Sequence, residues 1–373
     1  LHRRRHSFPT RRSSDLFRST DLTSTLNKKL NFPSTLTTIG TFAFNNCAKL
    51  TYVTSDVKKS KLKSIGDNAF QTSTITSSLA TPLNFPDSLT TIGAYAFNAC
   101  PNLTYVTFDV NKSKLTTIGN EAFKSSSITS TEVKTFDFPA SLRTIGNSVF
   151  TICPNLTYIT FPLTSKLTSI GESAFYGSSI TSKKEKSLDF PATLTTIGSN
   201  AFNFCTALSY ITFRSTSKLT SIGNQAFQSS GITSEKNNTL DFPASLTTIG
   251  VKAFDNCKKL TYITFPQNSK LTTIGVQAFK SSTLTGTDEV SLQFPASLTT
   301  IGVQAFLGCS NLTDVTFPLT SKLTTIGTGA FYSNCDVNLP TYDTLPVRDT
   351  LPVRDTLPVR ATLPVRATLP VRA

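Results

Sequence analysis

The chain has 373 residues, a formal net charge of +14, seven cysteines, two histidines, and neither methionine nor tryptophan. Residues 1–18 carry +5 and residues 344–373 carry +3, which leaves +6 for the 325 residues between them; both histidines, His2 and His6, fall in the first of these segments. A body this mildly basic, with scattered lysines, argues against nucleic-acid binding, its lack of histidine against Ser-His-Asp, Cys-His and histidine–metal chemistry, and its lack of an apolar run of 18 residues against a membrane-spanning helix.

In chain order, residues 7–16 read S-F-P-T-R-R-S-S-D-L, which resembles the translation of a sequencing-adapter oligonucleotide. Residues 1–18 are therefore expected to be non-native and disordered. The competing reading is a basic targeting arm built on Arg3, Arg4, Arg5, Arg11 and Arg12. From residue 19 to about 340 the motif L-x-x-I-G-x-x-A-F recurs twelve times. Its glycine stands at Gly40, Gly66, Gly93, Gly119, Gly146, Gly171, Gly198, Gly223, Gly250, Gly275, Gly302 and Gly327, 25 to 27 residues apart, and a phenylalanine follows each by four. Self-similarity at this period predicts a solenoid of about twelve coils, about 55–60 Å long at the strand spacing of ~4.8 Å. Residues 341–373 are mostly five copies of T-L-P-V-R-D/A; a proline every six residues forbids helix and central strand, so this tail is expected to be disordered.

Two kinds of coil alternate. Odd coils end in C-x-x-L-T-Y-I/V-T-F, as in residues 153–161, and even coils in S-S-x-I/L-T, a variable insert, and a strand such as 188–191, L-D-F-P. Both endings alternate apolar and polar residues and predict strands, with Ile159 and Phe161 inward and Tyr158 and Thr160 outward. The A-F-x-x-C segment predicts a short α or 3₁₀ turn on the opposite side, and the repeated glycine a corner with φ > 0. One coil cannot stand alone. The six side chains Leu246, Ile249, Phe254, Leu260, Ile263 and Phe265 contribute ~1.5–3 kcal/mol each on burial, less than the ~1–2 kcal/mol per residue lost on ordering the coil.

Cys47, Cys100, Cys153, Cys205, Cys257 and Cys309 recur at every second coil, about 9.5 Å apart, beyond the ~4.4–6.8 Å that a disulfide requires. They are predicted to be buried and unpaired; Cys335, one coil after Cys309, is either a free thiol or its closing partner. Nothing in the pattern suggests a cofactor, a metal or a catalytic site. The outward strand positions suggest a ligand instead. Tyr52, Tyr105, Tyr158, Tyr210 and Tyr262 occupy one column, which Asp314 breaks, and Asn84, Asp137, Asp189, Asp241 and Gln293 lie on the even coils between them. Tyr105, Tyr158, Tyr210, Tyr262, Asp137, Asp189 and Asp241 are the candidate ligand-binding residues. They are expected on one exposed, concave β-surface suited to a protein or a glycan, since tyrosine combines contact area with a polar tip. The inserts, S-T-E-V-K-T and S-K-K-E-K-S among them, are candidates for a recognition edge or for neutral drift. N-x-S/T acceptors at Asn102, Asn111, Asn155, Asn237 and Asn311 permit glycosylation in a secreted protein.

Residues 246–266, L-T-T-I-G-V-K-A-F-D-N-C-K-K-L-T-Y-I-T-F-P, follow the hallmark L-x-x-I-x-x-x-A-F-x-x-C-x-x-L-x-x-I-x-F/L-P almost letter for letter. On that pattern the chain resembles the BspA-like leucine-rich repeat proteins over residues 30–335. The resemblance implies a right-handed leucine-rich-repeat coil, mainly β with short helical or 3₁₀ turns and one parallel β-sheet face. It further implies a non-enzymatic binding or adhesion module at a cell surface or secreted; the alternative is an intracellular scaffold that assembles other proteins.

Overall fold

The computed structural model describes residues 21–287 and 291–339, so the expectations for residues 1–18 and 341–373 lie outside the described residues. The repeat winds into a parallel β-solenoid of about twelve coils, with no helix among the described residues. What runs unbroken from the first coil to the last is the hydroxyl–isoleucine pair before each glycine. Thr38–Ile39, Ser64–Ile65 and their ten counterparts up to Thr325–Ile326 form one twelve-stranded sheet in chain order. Thr196 pairs with Ser221 and Ile197 with Ile222, so the hydroxyls line the outer face while the isoleucines enter the core.

The single parallel sheet is thus present, but other strands carry it than the sequence suggested. The tyrosine-bearing strands pair only two by two. Phe136–Asp137 bonds to Ile159–Thr160, Leu188–Phe190 to Ile211–Phe213 and Leu240–Asp241 to Ile263–Thr264; only the last ladder gains a third strand, Asp336–Asn338. Each break precedes an even-coil strand, and before four of these strands the insert has turned back on itself as a tight hairpin, at Ser78 and Thr81, Thr131 and Lys134, Lys183 and Lys186, and Glu235 and Asn238.

Two further expectations are refined. The A-F-x-x-C segment turns but forms no helix, because only alternate amides bond within it: Asn45 N donates to Phe42 O at 3.1 Å and Gln228 N to Gln225 O at 3.1 Å, whereas Phe44 N donates sideways to Ala69 O of the next coil at 2.7 Å and Phe227 N to Ala253 O at 2.8 Å. A helix would direct those bonds along its own segment. The left-handed residues lie two and six positions after the glycine, as at Asn68 and Gln225 (φ 55° and 56°) and at Asn46 and Asn256 (φ 56° and 60°). None of the twelve repeat glycines is left-handed. Glycine is needed there for closeness: a Cβ on Gly223 would stand 2.5 Å from Ser199 N and 2.6 Å from Gly198 C in the preceding coil.

Behind these corners runs a column of twelve phenylalanine rings, Phe44 to Phe331, stacked within 13° of parallel at centroid separations of 5.0–5.5 Å. Each stacked pair adds ~0.5–1.5 kcal/mol beyond its burial. Ile159 and Phe161 face inward as expected. All seven cysteines, Cys335 included, are buried, and none forms a disulfide. Their column alternates with Ser73, Ser126, Ser178, Ser230 and Ser282, and Cys100 Sγ donates to Phe70 O at 3.1 Å, as Cys205 Sγ does to Phe175 O at 3.2 Å. Burial pushes the thiols of Cys153, Cys205, Cys257 and Cys309 up to about 12.

Replacing Gly223 by alanine should cost about 1–3 kcal/mol in chemical denaturation, because the clash is with rigid backbone. Gly177→Asn, at a left-handed corner with open space around it that Asn46 and Asn256 occupy elsewhere, should stay within about 0.5 kcal/mol. A thiol reagent should find almost no reactive cysteine in the native protein and seven after denaturation. The pH dependence has a definite sign. With folded thiols at about 12 and unfolded thiols near ~8.5, the unfolded state binds fewer protons between those values. Stability therefore falls as pH rises through that window, by up to about 1.4 kcal/mol per pH unit for each thiol, which denaturation midpoints at pH 8 and 10 would measure.

Candidate functional site

The tyrosine column begins with a buried serine. Ser77 Oγ accepts from Tyr105 N at 2.8 Å and Thr104 N at 3.0 Å, and Thr104 Oγ1 donates to Ser77 O. Ser130 holds Tyr158 N at 2.8 Å, and Ser182 and Ser234 hold Tyr210 N and Tyr262 N at 2.7 Å. The tyrosine carbonyls then accept from the even coils: Phe136 N reaches Tyr158 O, and Leu188 N reaches Tyr210 O, both at 2.9 Å. Each tyrosine backbone is thus fixed on both sides. Tyr105, Tyr158, Tyr210 and Tyr262 are half-buried rather than freely exposed.

Asp137, Asp189 and Asp241 are exposed but do not alternate with the tyrosines in one row. Register places Asp137 beside Thr160 and Asp189 beside Thr212, two residues further along the strands than the tyrosines. Asp137 Oδ1 accepts from Thr135 Oγ1 and Thr160 Oγ1 at 2.5 Å each; Asp189 accepts from Ser187 at 2.6 Å and from Thr212; Asp241 accepts from Thr239 at 2.5 Å and from Thr264. The structure therefore brings the seven candidates onto one surface as two parallel rows, one of tyrosines and one of carboxylates. Asp314, which stands where the last tyrosine would, is buried, and its Oδ1 accepts from Asn338 Nδ2 at 2.6 Å.

The inserts border the tyrosine row on its other side and reach one another across two coils. Lys183 Nζ lies 2.7 Å and Lys186 Nζ 3.6 Å from the Glu132 carboxylate, and Lys184 Nζ lies 3.1 Å from that of Glu235. Tyr210 Oη donates to Glu235 Oε1 at 3.3 Å. Partial burial, then the Glu235 charge, raise the Tyr210 phenol, while the hydrogen bond from Lys183 lowers Glu132. These exposed ion pairs add little to stability, since solvent screens them. Their effect is to hold the hairpin tips as a ridge beside the tyrosines.

The pinning serines were missed in the sequence, although the signal is there. Every even coil that precedes a tyrosine coil carries T-S before its insert, and the one that carries T-G, ending in Gly286, precedes Asp314. Among the described residues no group of three or more His, Cys, Asp or Glu is placed to hold a metal ion, and no helix is long and apolar enough to cross a membrane.

Comparison with known proteins places the chain in a family. No curated protein sequence matches the chain. Among solved structures, it is similar to a leucine-rich repeat protein from Bacteroides ovatus, with 21% identity over 84% of this chain and 93% of that one and a TM-score of 0.47. It is also similar to a leucine rich cell surface protein from Faecalibacterium prausnitzii, with 23% identity over 82% and 79% and a TM-score of 0.38. A third is the pneumococcal vaccine antigen PcpA, with 20% identity over 80% and 70% and a TM-score of 0.45. The profile of the BspA type leucine rich repeat region (6 copies) matches residues 13–135, 76–184, 129–236, 182–288 and 233–344, and with that cover, on twelve in-phase coils, the chain belongs to the BspA-type leucine-rich repeat family.

Proposed function

We propose that the protein is a non-enzymatic binding or adhesion module that displays its tyrosine and carboxylate rows to a protein or glycan at a cell surface or after secretion. The observation that carries this reading is the tyrosine row. Four half-exposed rings recur at two-coil intervals on backbones fixed by buried serines, between a row of carboxylates and a charged ridge. Large rings that lose little freedom on binding are what interface hot spots use. Surface display follows from the family resemblance and is tested by labelling intact cells with antibody. A second reading, an intracellular scaffold assembling other proteins, is favoured by seven cysteines that form no disulfide, which suits a reducing compartment; the same labelling, positive only after permeabilisation, would select it.

Replacing Tyr158 and Tyr210 together by serine should weaken attachment to the ligand or host matrix by a few kcal/mol in total while the denaturation midpoint barely moves. Alanine at the inward neighbours Ile159 and Phe161 should instead destabilise the stack by roughly 2–5 kcal/mol each. Unaltered attachment by the double serine variant would sink the tyrosine row as the binding surface.

A further inference from the structure

The row of carboxylates beside the tyrosines carries charge without a counter-charge. Asp137, Asp189 and Asp241 are exposed, and each is held in place by two hydroxyls, one from its own strand and one from the next. Among the described residues no lysine or arginine stands in ion-pair contact with any of the three. The acids on the other border differ: Glu132 is taken by Lys183 and Lys186, and Glu235 by Lys184. At both ends of the row the same strand position carries a neutral amide, Asn84 beside Thr107 and Gln293 beside Thr316. Negative charge at this position is confined to three even coils.

Each of those carboxylates shares a face with a ring. Asp137 lies beside Thr160, Asp189 beside Thr212 and Asp241 beside Thr264, and the tyrosine of the same odd strand stands two residues earlier. One strand spacing of ~4.8 Å and two residues of ~3.3 Å each put the two Cα atoms about 8 Å apart. One long side chain spans that distance. Lying against the ring of Tyr158, Tyr210 or Tyr262, a guanidinium or ammonium group meets its negative face and ends at the carboxylate. Three such units of ring and carboxylate repeat at two-coil intervals, roughly 10 Å.

We propose that the tyrosine and aspartate rows together dock a basic polypeptide segment, whose arginine or lysine side chains lie on the rings and end at Asp137, Asp189 and Asp241. This rests on the binding reading above and narrows the ligand from a protein or glycan to a basic protein. Charge selects the partner. A neutral glycan leaves all three carboxylates without counter-charge, and an acidic one is repelled by them. A polypeptide with cations spaced along it satisfies the row. Arginine suits the place best, because its planar guanidinium both stacks on an aromatic ring and pairs with a carboxylate. The lysines of the ridge lie on the opposite border, so the bound segment is oriented with its basic side chains away from them.

The test is fluorescence anisotropy with the full chain and a fluorescein-labelled peptide of repeated Arg-Ser-Ser units. Two control peptides carry citrulline, which keeps the shape without the charge, or glutamate in place of arginine. The arginine peptide should bind saturably, the citrulline peptide about tenfold more weakly, and the glutamate peptide not at all. Replacing Asp137, Asp189 and Asp241 together by asparagine should weaken the arginine peptide about tenfold and flatten its salt dependence. The denaturation midpoint should hold, since Asn84 already accepts the matching bond from Thr107. Asn84→Asp, which adds a fourth unit beside Tyr105, should tighten binding about twofold to fivefold; it keeps the test decisive if the triple variant folds poorly. Equal binding by the triple variant, equal binding of the citrulline peptide, or no saturable binding by either the native chain or Asn84→Asp would overturn the proposal. If the arginine peptide fails to bind while the double serine variant loses attachment, the basic ligand is overturned and the tyrosine row stands. If binding falls in the triple variant while the double serine variant attaches unaltered, the basic ligand stands and the tyrosine row does not.

Discussion

Successive coils touch backbone to backbone at the Ile-Gly corner, and that contact sets the pitch to which every other column conforms. Gly223 has the carbonyl carbon of Gly198 and the amide of Ser199 where a side chain would be, so no other residue type permits the approach. The sheet on one side of the corner then closes at ordinary strand spacing, ~4.8 Å, and the phenylalanine column on the other stacks at 5.0–5.5 Å. Aromatic rings stacked face to face with an offset are comfortable at that separation. A wider pitch would lose the stack and the ladder together, which is why the glycine, the isoleucine and the phenylalanine recur as a unit.

The same pitch explains the alternation of coils. Cysteines at the same place in adjacent coils would have Cα atoms about 5 Å apart, inside the range where a disulfide forms; Cys335 follows Cys309 by one coil but stands one residue later after its glycine, and the two form no disulfide. Serine in the coils between the others removes that chance and leaves the Sγ to donate to the phenylalanine carbonyl of the coil before, as Cys257 does to Phe227 O at 3.2 Å. Odd coils therefore repeat at twice the pitch, and the outer surface follows: tyrosine in one coil, serine or threonine in the next, with the aspartates offset by two residues along the strand. A ligand lying along the stack meets a two-coil period even though the core has a period of one.

Much of this was legible in the sequence because the repeat serves as its own alignment. The coil count, the inward faces of Ile159 and Phe161 and the buried thiols all follow from spacing alone. What the sequence hid is the direction of hydrogen bonds. The two residues Thr196–Ile197 are too short to read as a strand, yet they belong to the twelve-stranded sheet, whereas the longer alternating runs pair only two by two. In the A-F-x-x-C segment alternate amides face their own coil and the next, as Asn45 N and Phe44 N do, and that division is a property of the stack. The glycine misled for a related reason. A conserved-looking corner suggests unusual φ, but here the constraint comes from a neighbour about 26 residues away in sequence.

The candidate site differs from the core in how its positions are held. Core residues are specified by volume. The tyrosines are specified by their main chain. The hydroxyl of Ser130 sits between two amides of the following odd coil, Thr157 N and Tyr158 N, so it fixes the start of that strand whatever side chain follows. In the last odd coil both features are lost together: Gly286 replaces the serine, and a Cβ there would stand 2.5 Å from Asp314 O. A coil that has drawn in this far has no room for the pinning hydroxyl, and it buries Asp314 where the others present a ring. Pinning matters for recognition more than for stability. A ring on a fixed backbone loses only its side-chain freedom when a ligand arrives, about 0.5–1.5 kcal/mol, and the loop-ordering cost that a mobile segment would add has already been met in folding.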